Sequence, residues 1–478
     1  MGTIAASFIA CLLVFTLIGV MSSKAKQTTT EDYLVASRNI PPWLVALSAV
    51  STNNSGYMFV GLIGFTYAYG LSSIWLSLGW LVGDFLAWFV VHKPLRESSG
   101  TANVSSIPGF LAHDRQQGNS RLIAVIAGLM TLAFLSVYAA AQLKAGSKAL
   151  HVMFGWEESL GAIIGAVLVV VYCFSGGIRA SIWTDAAQSM VMIGAMLMLV
   201  VVVAMEFGGP DELLAQLEAI DPQLVTLTPP DAEWGLAVYI LGWLAAGIAV
   251  VGQPHIMIRT MTLDDPAKMG RTRNIYFAWY LPFTILAILA GLYSRVFFED
   301  GGITSSFDAE LALPTMAMGL LPEVLVGLIL AALFAATMST ADSQLLSCSA
   351  AITQDVAPTL NRSYFASKMA TIGVTLLALA VALFGSGNVF TLVVLAWSSL
   401  GAGLGPLMFV RAKGRSVSPA LGGTMIVAGV ATVLVWKYVL EWGGGLYEVL
   451  PGMLAGFLIY AVGSAMSPQP VKTASSRA

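Results

Sequence analysis

The stretch LSAVSTNNSGY, residues 47–57, interrupts a long apolar run with polar side chains. Six consecutive poor helix formers, Ser51 to Gly56, lie near the middle of a segment long enough to cross a bilayer. Unwound backbone at membrane depth persists only where its polar groups face a cavity, an ion or neighbouring protein. We therefore expect a broken transmembrane helix, a device with which transporters build binding sites. The alternative is a continuous helix whose Ser and Thr hydroxyls bond to carbonyls one turn earlier.

The composition of the whole chain indicates a membrane protein. Its 478 residues are 57% hydrophobic and 10% charged, with a mean hydropathy of +0.81. A soluble domain of this size would leave many Leu, Val and Ile side chains in water, so we predict an all-α polytopic membrane protein. Apolar stretches of about 20 residues give thirteen candidate spans. These are 3–22, 43–68, 71–92, 121–145, 159–175, 181–205, 235–258, 275–298, 322–349, 366–385, 388–410, 418–438 and 446–465.

The basic residues predict the orientation of these spans. With the N-terminus outside, all but four of the 23 Lys and Arg residues fall on the cytoplasmic side. This bias follows the positive-inside rule and implies an odd number of spans, N-out and C-in. The four exceptions are Lys144, Lys148, Arg295 and Lys437, and the cytoplasmic set includes Lys24, Lys26, Arg259, Lys472 and Arg477.

A second polar stretch, AATMSTADSQLLS at 335–347, lies in the ninth span. Oxygen-bearing side chains in one stripe suit a small cation, and a carboxylate beside them suits a second cation or a proton. The spacing leaves sodium and proton as alternatives. At about 100° per residue, the stripe contains Ala336, Ser339, Thr340, Ser343 and Ser347, with Asp342 at its edge.

Two further interruptions are predicted. Pro254 in Gly252-Gln253-Pro254-His255 removes a backbone donor, so the seventh span is expected to kink or open there, with Gln253 as a contact or as a structural bond at the kink. The segment 175–177, Ser-Gly-Gly, predicts a tight turn ahead of Asp185. Ionisable groups at membrane depth are expensive, so Asp84, Asp185 and Asp342 need a partner or a function.

Motifs for other functions are absent from the sequence. It contains no Walker A sequence, dinucleotide-binding glycine pattern, nucleophile elbow or intramembrane metalloprotease motif. We therefore expect a carrier and not an enzyme, with no cofactor or metal other than sodium as the coupling ion. The expected partners are a small organic solute, sodium and the lipid bilayer, with no nucleic acid and no obligate protein partner.

Five groups of residues along the chain resemble the sodium/solute symporter family, especially its bacterial sodium/proline branch. The matching elements are Glu31-Asp32-Tyr33-Leu34 with Ser37-Arg38, Leu47-Ser48-Ala49 with Ser55-Gly56, Ser175-Gly176-Gly177 with Trp183-Thr184-Asp185, Gly252-Gln253-Pro254-His255, and Met338-Ser339-Thr340 with Ala351-Ile352-Thr353-Gln354-Asp355. The resemblance implies one transporter domain, 1–478, with a LeuT-like core of two five-helix inverted repeats. Its parts are 1–42 (first helix and cytoplasmic loop), 43–205 (first repeat), 206–234 (external loop), 235–410 (second repeat) and 411–478 (two C-terminal helices and tail).

The resemblance also implies ion sites. The first would use the backbone carbonyls of Ser51, Asn54 and Ala336 with the hydroxyls of Ser339 and Thr340. A second sodium site of some relatives falls here on Asp185, Ser339, Asp342 and Ser343, although relatives carry a hydroxyl where Asp342 stands. A carboxylate facing Asp185 favours either tighter cation binding or a retained proton, because two close like charges disfavour ionisation of both.

The solute pocket departs from the resemblance. The proline branch has Asp where this chain has Asn53, and aromatic residues where it has Ala246 and Val250, with Trp243 further back. We therefore expect a pocket that differs in detail from that of a proline carrier. The candidate pocket or gate residues, with helix packing as the alternative, are Asn53, Tyr57, Tyr138, Gln142, Gln253 and Trp397.

The expected function is secondary active symport in the bacterial inner membrane. The inward sodium gradient would drive uptake of a small organic solute, such as proline or a related carboxylate, by alternating access. The alternatives are a proton-coupled carrier, a sugar, vitamin or monocarboxylate symporter of the same family, and a solute-sensing membrane module.

Overall fold

The computed structural model describes residues 2–22, 29–230, 232–298, 307–362 and 364–466, without the side chains of 172–176, 361, 362 and 364. Lys24, Lys26, Lys472 and Arg477 of the positive-inside count lie outside these residues. The described residues are predominantly helical, as predicted. The helices are α1 (Gly2–Ser22), α2 (Thr30–Val35), α3 (Pro42–Asn53), α4 (Leu62–Tyr69), α5 (Ile74–Ala87), α6 (Lys93–Thr101), α7 (Ile107–Ala112), α8 (Arg121–Phe154), α9 (Glu158–Phe207), α10 (Pro210–Ile220), α11 (Leu236–Ile248), α12 (Pro254–Met261), α13 (Met269–Phe297), α14 (Ala312–Leu320), α15 (Glu323–Ala350), α16 (Tyr364–Phe384), α17 (Val389–Ala412), α18 (Pro419–Tyr438) and α19 (Val449–Met466). A short hairpin of β1 (His113–Asp114) and β2 (Gly118–Asn119) precedes α8.

The long apolar helices identify a multi-pass membrane protein. Among the described residues, ten helices are long and apolar enough to cross a membrane, or eleven if the bent pair α11 and α12 forms one span. This count joins Tyr57–Thr101 into one segment and leaves out the short piece Glu158–Val171. The predicted number of thirteen spans therefore stays a prediction. Many large apolar side chains remain exposed, among them Leu13, Val167 and Leu458, and these suit contact with lipid.

The predicted break in the first polar stretch is confirmed, and it is narrower than expected. Ser51, Thr52 and Asn53 are still helical, and α3 ends at Asn53. The backbone N–H and the Nδ2 of Asn54 both donate to the carbonyl oxygen of Val50, each at 2.9 Å, which closes the last turn. The Oγ of Ser55 accepts from the amide of Tyr57 at 3.1 Å, so the chain re-enters a helix with a side-chain cap. A π-turn, Tyr57–Gly61, then leads into α4.

Breaks also occur at the two other predicted positions. Gln253 is extended, with φ −95° and ψ 98°, and α11 and α12 are bent by 54° on either side of it. In the other case α9 is broken at Gly177, with φ 59° and ψ −152°. A Cβ at Gly177 would lie 2.5 Å from Cδ2 of Tyr33, so both the backbone conformation and the close packing require glycine there.

Helix α15 is the centre of the bundle and packs against α1, α3, α8 and α9. Its polar stretch is buried throughout.

Nearby, α5 and α11 cross at backbone contact distance. A Cβ at Gly83 would lie 2.1 Å from the Leu244 carbonyl oxygen, and one at Gly247 would lie 2.0 Å from that of Trp80. Small residues therefore set the spacing of these helices, which in turn places the side chains of α5 beside the break after α3.

Candidate functional site

The end of α3 and the polar stripe of α15 form a compact cluster of oxygens. The Ser339 Oγ lies 3.1 Å from the carbonyl oxygen of Ala336 and 3.4 Å from that of Ser51. The Thr340 Oγ1 lies 3.0 Å from the Thr52 carbonyl oxygen and 3.1 Å from that of Ala336. All five residues are fully buried. Three carbonyls and two hydroxyls therefore converge without a carboxylate among them, a donor set that suits a small monovalent cation.

Four of the five predicted sodium ligands belong to this cluster. The structure brings Ser51, Ala336, Ser339 and Thr340 together, and it adds the carbonyl of Thr52. Among the described residues, the hydrogen bonds from Ser339 and Thr340 to α3 end on Ser51 and Thr52, not on Asn54. Asn54 lies one turn from Val50 at the helix end, and its role as a ligand stays a prediction.

Of the four residues predicted for the second site, Ser339 belongs to the oxygen cluster above, and the other three, Asp185, Asp342 and Ser343, are also close together. The Asp185 Oδ2 accepts a hydrogen bond from the Ser48 Oγ at 2.6 Å, while the Asp342 Oδ1 accepts from Ser181 and Ser343, each at 3.0 Å. These carboxylates come from α9 and α15. Both are buried, so their placement at one point requires positive charge or a proton.

A guanidinium lies between these carboxylates. Nη2 of Arg259 is 3.3 Å from Asp185 Oδ2 and 3.8 Å from Asp342 Oδ1, and it donates to Ser181 at 2.6 Å and also to Ser343. The sequence counts Arg259 among the basic residues of the cytoplasmic side, which stays a prediction, and the structure shows that this side chain is fully buried. It follows the apolar run directly, and only the bend at Gln253 turns α12 inward. His255, one turn earlier on α12, is also fully buried.

A small cavity lies at the break in the first polar stretch. Asn53, Tyr57 and Tyr138 of the predicted set line it, together with Trp80 and Tyr280, which sequence reasoning missed. The side chains of the other three predicted residues form hydrogen bonds with backbone groups. Gln142 Oε1 accepts from the amide of Gly56 at 2.9 Å, Gln253 Nε2 donates to the Trp397 carbonyl at 2.9 Å, and Trp397 Nε1 donates to the Ala246 carbonyl at 2.8 Å. The backbone of Ala246 thus contacts the indole of Trp397.

A larger cavity of about 590 Å³ lies beyond a layer of aromatic rings. The ring centroid of Tyr57 is 5.7 Å from that of Trp80 and 5.6 Å from that of Phe390, which lines the larger cavity. The amide of Phe390 donates to Glu310 at 2.8 Å, and Glu310 is paired with Lys148 at 2.5 Å. The rings therefore separate the two cavities, and an ion pair holds one side of the layer.

A broken helix that faces a hydroxyl pair and borders a small central cavity is the construction of a cation-coupled carrier. Comparison with known proteins assigns the family within this class. The model of the Sodium:solute symporter family matches residues 33–412, and the chain belongs to that family.

Named relatives and solved structures agree with this assignment. The chain is 29% identical to the sodium/proline symporter of Escherichia coli over 478 residues, covering 96% of this chain and 93% of the relative. It is 28% identical to the high-affinity proline transporter PutP of Bacillus subtilis over 452 residues, covering 92% and 93%. A Na⁺-coupled sialic acid symporter, solved in a substrate-bound outward-open state, has a TM-score of 0.79 at 18% identity, covering 98% of both chains. The nucleobase-cation-symport-1 transporter Mhp1 has a TM-score of 0.59 at 15% identity, covering 92% of this chain and 96% of its own. The fold is therefore that of LeuT-like transporters.

Proposed function

We propose that this chain imports a small amino acid, with L-proline as the first solute to test, and that the inward sodium gradient drives the uptake. The observation that carries the proposal is the oxygen cluster of Ser51, Thr52, Ala336, Ser339 and Thr340 beside the broken helix. Sodium is the coupling ion, and no other cofactor is invoked. The relatives named as proline transporters support the choice of solute class.

The mechanism follows from the placement of the cluster. Sodium bound between α3 and α15 would hold these helices together, while the solute binds in the cavity at the same helix end. The start of the helix after the break directs its positive dipole end towards this region, which suits a solute carboxylate. Rocking of α3 and its neighbours would then open the cavity to one side of the membrane at a time. Sodium and solute must raise each other's affinity by the same factor.

The membrane arrangement is part of the proposal. We place thirteen spans in the bacterial inner membrane, N-out and C-in, with the inverted repeats at 43–205 and 235–410. The first span of each repeat is broken, at Asn54 and at Gln253, which supports the division. Single cysteines introduced at Ser22 and Ser464 test the orientation with an impermeant reagent added outside intact cells. Both positions lie at the cytoplasmic ends of their helices in this arrangement and are expected to be protected, whereas labelling of both would mean that the orientation is the opposite one.

Proton coupling, or a second bound cation, is the second candidate. The observation that favours it is that two buried carboxylates, Asp185 and Asp342, share the guanidinium of Arg259, with Ser343 beside them. One guanidinium balances only one of the two carboxylates, and a proton or cation bound there would balance the other. A guanidinium in the centre of this site also leaves less room for a metal ion, so a proton fits the geometry better.

Purified protein in proteoliposomes tests these proposals. Uptake of radiolabelled L-proline is measured with an inward sodium gradient, an inward proton gradient, both gradients and neither. Concentrative uptake that needs sodium supports the proposal, and additional stimulation by the proton gradient supports the second candidate. Sodium-dependent binding without accumulation would identify a sensing module. If a wider panel of amino acids, sugars and monocarboxylates also shows no sodium-driven uptake, the symport proposal is wrong.

A further inference from the structure

The buried carboxylate of Asp84 is not used by the ion sites described above. It comes from α5, is fully buried, and lies beside the break after α3. Its Oδ2 accepts hydrogen bonds from Tyr276 Oη at 2.7 Å and from Asn53 Nδ2 at 3.2 Å. Its Oδ1 has no hydrogen-bond partner among the described residues. No basic side chain of the described residues forms an ion pair with Asp84 either. An unpaired carboxylate is costly to bury.

Asn53 connects this carboxylate to the central cavity. Its Nδ2 donates both to Asp84 and to Tyr276 Oη, the latter at 2.5 Å. These two bonds fix the amide, so the atom that Asn53 has left for the cavity it lines is the acceptor Oδ1. A hydrogen-bond donor in the cavity would therefore meet an acceptor with a negative charge directly behind it.

The rest of the cavity wall also favours a cation. Four aromatic side chains, Tyr57, Trp80, Tyr138 and Tyr280, line it, and no Lys, Arg or His of the described residues does so. The faces of aromatic rings carry negative potential and attract ammonium groups. The amide and the rings come from α3, the π-turn after it, α5, α8 and α13, and they line one small space, while the carboxylate of Asp84 lies behind the amide.

We propose that Asp84 and Asn53 form the recognition site for the ammonium group of the transported solute. The ammonium donates to Asn53 Oδ1, the charge of Asp84 stabilises it from behind, and the rings enclose it. The inference rests on the proposed function and deepens it, because it selects amino acids over carboxylates of the same shape that lack the amine.

Paired solutes test this site on the purified full-length protein in sodium-containing detergent buffer. Thermal stabilisation is titrated with L-proline and cyclopentanecarboxylate, L-alanine and propionate, and L-phenylalanine and 3-phenylpropionate. In at least one pair, we expect the ammonium compound to bind the wild type at least about tenfold more tightly, since a charge-assisted bond of this kind changes affinity by roughly 10- to 100-fold. Asp84→Asn is expected to abolish this preference and to leave the affinity for the compound without an amine unchanged.

Two further variants keep the test decisive. Asn53→Leu removes the acceptor without removing the charge and is expected to lose the preference even if Asp84→Asn does not fold. Asp355→Asn changes another buried acid, in the turn after α15 and remote from the cavity lining, and is expected to retain it.

The inference is overturned if Asp84→Asn and Asn53→Leu keep the preference, if the wild type shows none in any pair, or if no compound of the three pairs binds. Sodium-driven uptake of another solute would in that last case leave the symport proposal intact. If the variants lose the preference but the wild type shows no sodium-driven uptake, the result supports the site and contradicts the symport proposal.

Discussion

Removal of one hydroxyl from the oxygen cluster is expected to weaken sodium dependence more than it weakens the protein. In Thr340→Val, a methyl group of similar volume replaces the hydroxyl that lies 3.0 Å from the Thr52 carbonyl and 3.1 Å from the Ala336 carbonyl. Without sodium, the loss is of neutral hydrogen bonds worth about 1 kcal/mol. With sodium bound, one of five oxygen ligands is lost, and interactions with a charged group are worth about 1.5–3 kcal/mol. The sodium affinity changes by the difference, about 0.5–2 kcal/mol, so the sodium concentration for half-maximal uptake is expected to rise by roughly 2- to 30-fold.

The assay is the initial rate of solute uptake into proteoliposomes as sodium is varied against choline at constant ionic strength. Sodium-induced thermal stabilisation of the same variants provides a readout that does not depend on transport. Thr340→Ser retains the hydroxyl and is expected to retain sodium affinity. Thr337→Val is the matched control, because among the described residues the Thr337 hydroxyl bonds only within α15, to the Phe334 carbonyl at 2.8 Å. If Thr340→Val and Ser339→Ala both keep the sodium dependence of the wild type, the cluster is not the coupling site.

Three more substitutions test the charged groups. Asp342→Ser, which retains a hydroxyl, is expected to remove any stimulation of uptake by a proton gradient while sodium dependence remains; unchanged dependence on both ions would contradict a proton at this carboxylate. Arg259→Gln leaves two buried carboxylates without their shared guanidinium and is expected to cost roughly 3–5 kcal/mol of stability. That loss should be smaller in the Asp342→Ser background, as a double-mutant cycle of unfolding would show, and additivity would mean that the two residues do not interact. Burial raises the pKa of Asp114, but its hydrogen bonds, including that from Arg411, outweigh burial and hold the pKa below its usual range. Its stabilising effect is therefore present above about pH 4, the unfolded value, and is lost as the pH falls further. Asp114→Asn should lower the thermal midpoint at pH 7 and reduce the loss between pH 5 and more acidic conditions, and equal acid sensitivity of both proteins would refute this assignment.

The breaks in the helices were predictable because their causes are local. The Asn54 side chain bonds the Val50 carbonyl beside the last helical hydrogen bond, and the Ser55 hydroxyl accepts from the amide of Tyr57 where the next helix begins. Pro254 lacks the amide that a continuous helix needs. Helical periodicity likewise placed Ser339 and Thr340 on one face, where the structure has them. These features depend on a few neighbouring residues, so the sequence carries them directly.

The charged partners could not be predicted, because they depend on how distant helices are turned towards each other. Arg259 follows an apolar span and therefore resembles a basic residue at a membrane surface, and only the bend at Gln253 carries it between two acids. Asp84 poses the same problem. The resemblance to the proline branch implied an Asp at the position of Asn53, so the sequence suggested a lost charge. The structure places a carboxylate from another helix 3.2 Å from that Asn, so negative charge remains in this region.

The proposed coupling of sodium to solute depends on three consecutive residues. The carbonyls of Ser51 and Thr52 contact the hydroxyls of α15, and the next side chain, Asn53, lines the cavity proposed for the solute. The Oγ1 of Thr52 also lies 3.2 Å from the Oγ of Ser343, which accepts from Arg259. One helix turn that ends at a break thus contacts the oxygen cluster, the charged cluster and the cavity. Sodium that fixes this turn lowers the ordering cost of solute binding, and a solute that fixes Asn53 lowers that of sodium. A substitution that loosens the turn without removing a ligand, such as Val50→Gly, is therefore expected to weaken both affinities together, whereas loss of a ligand weakens one of them first.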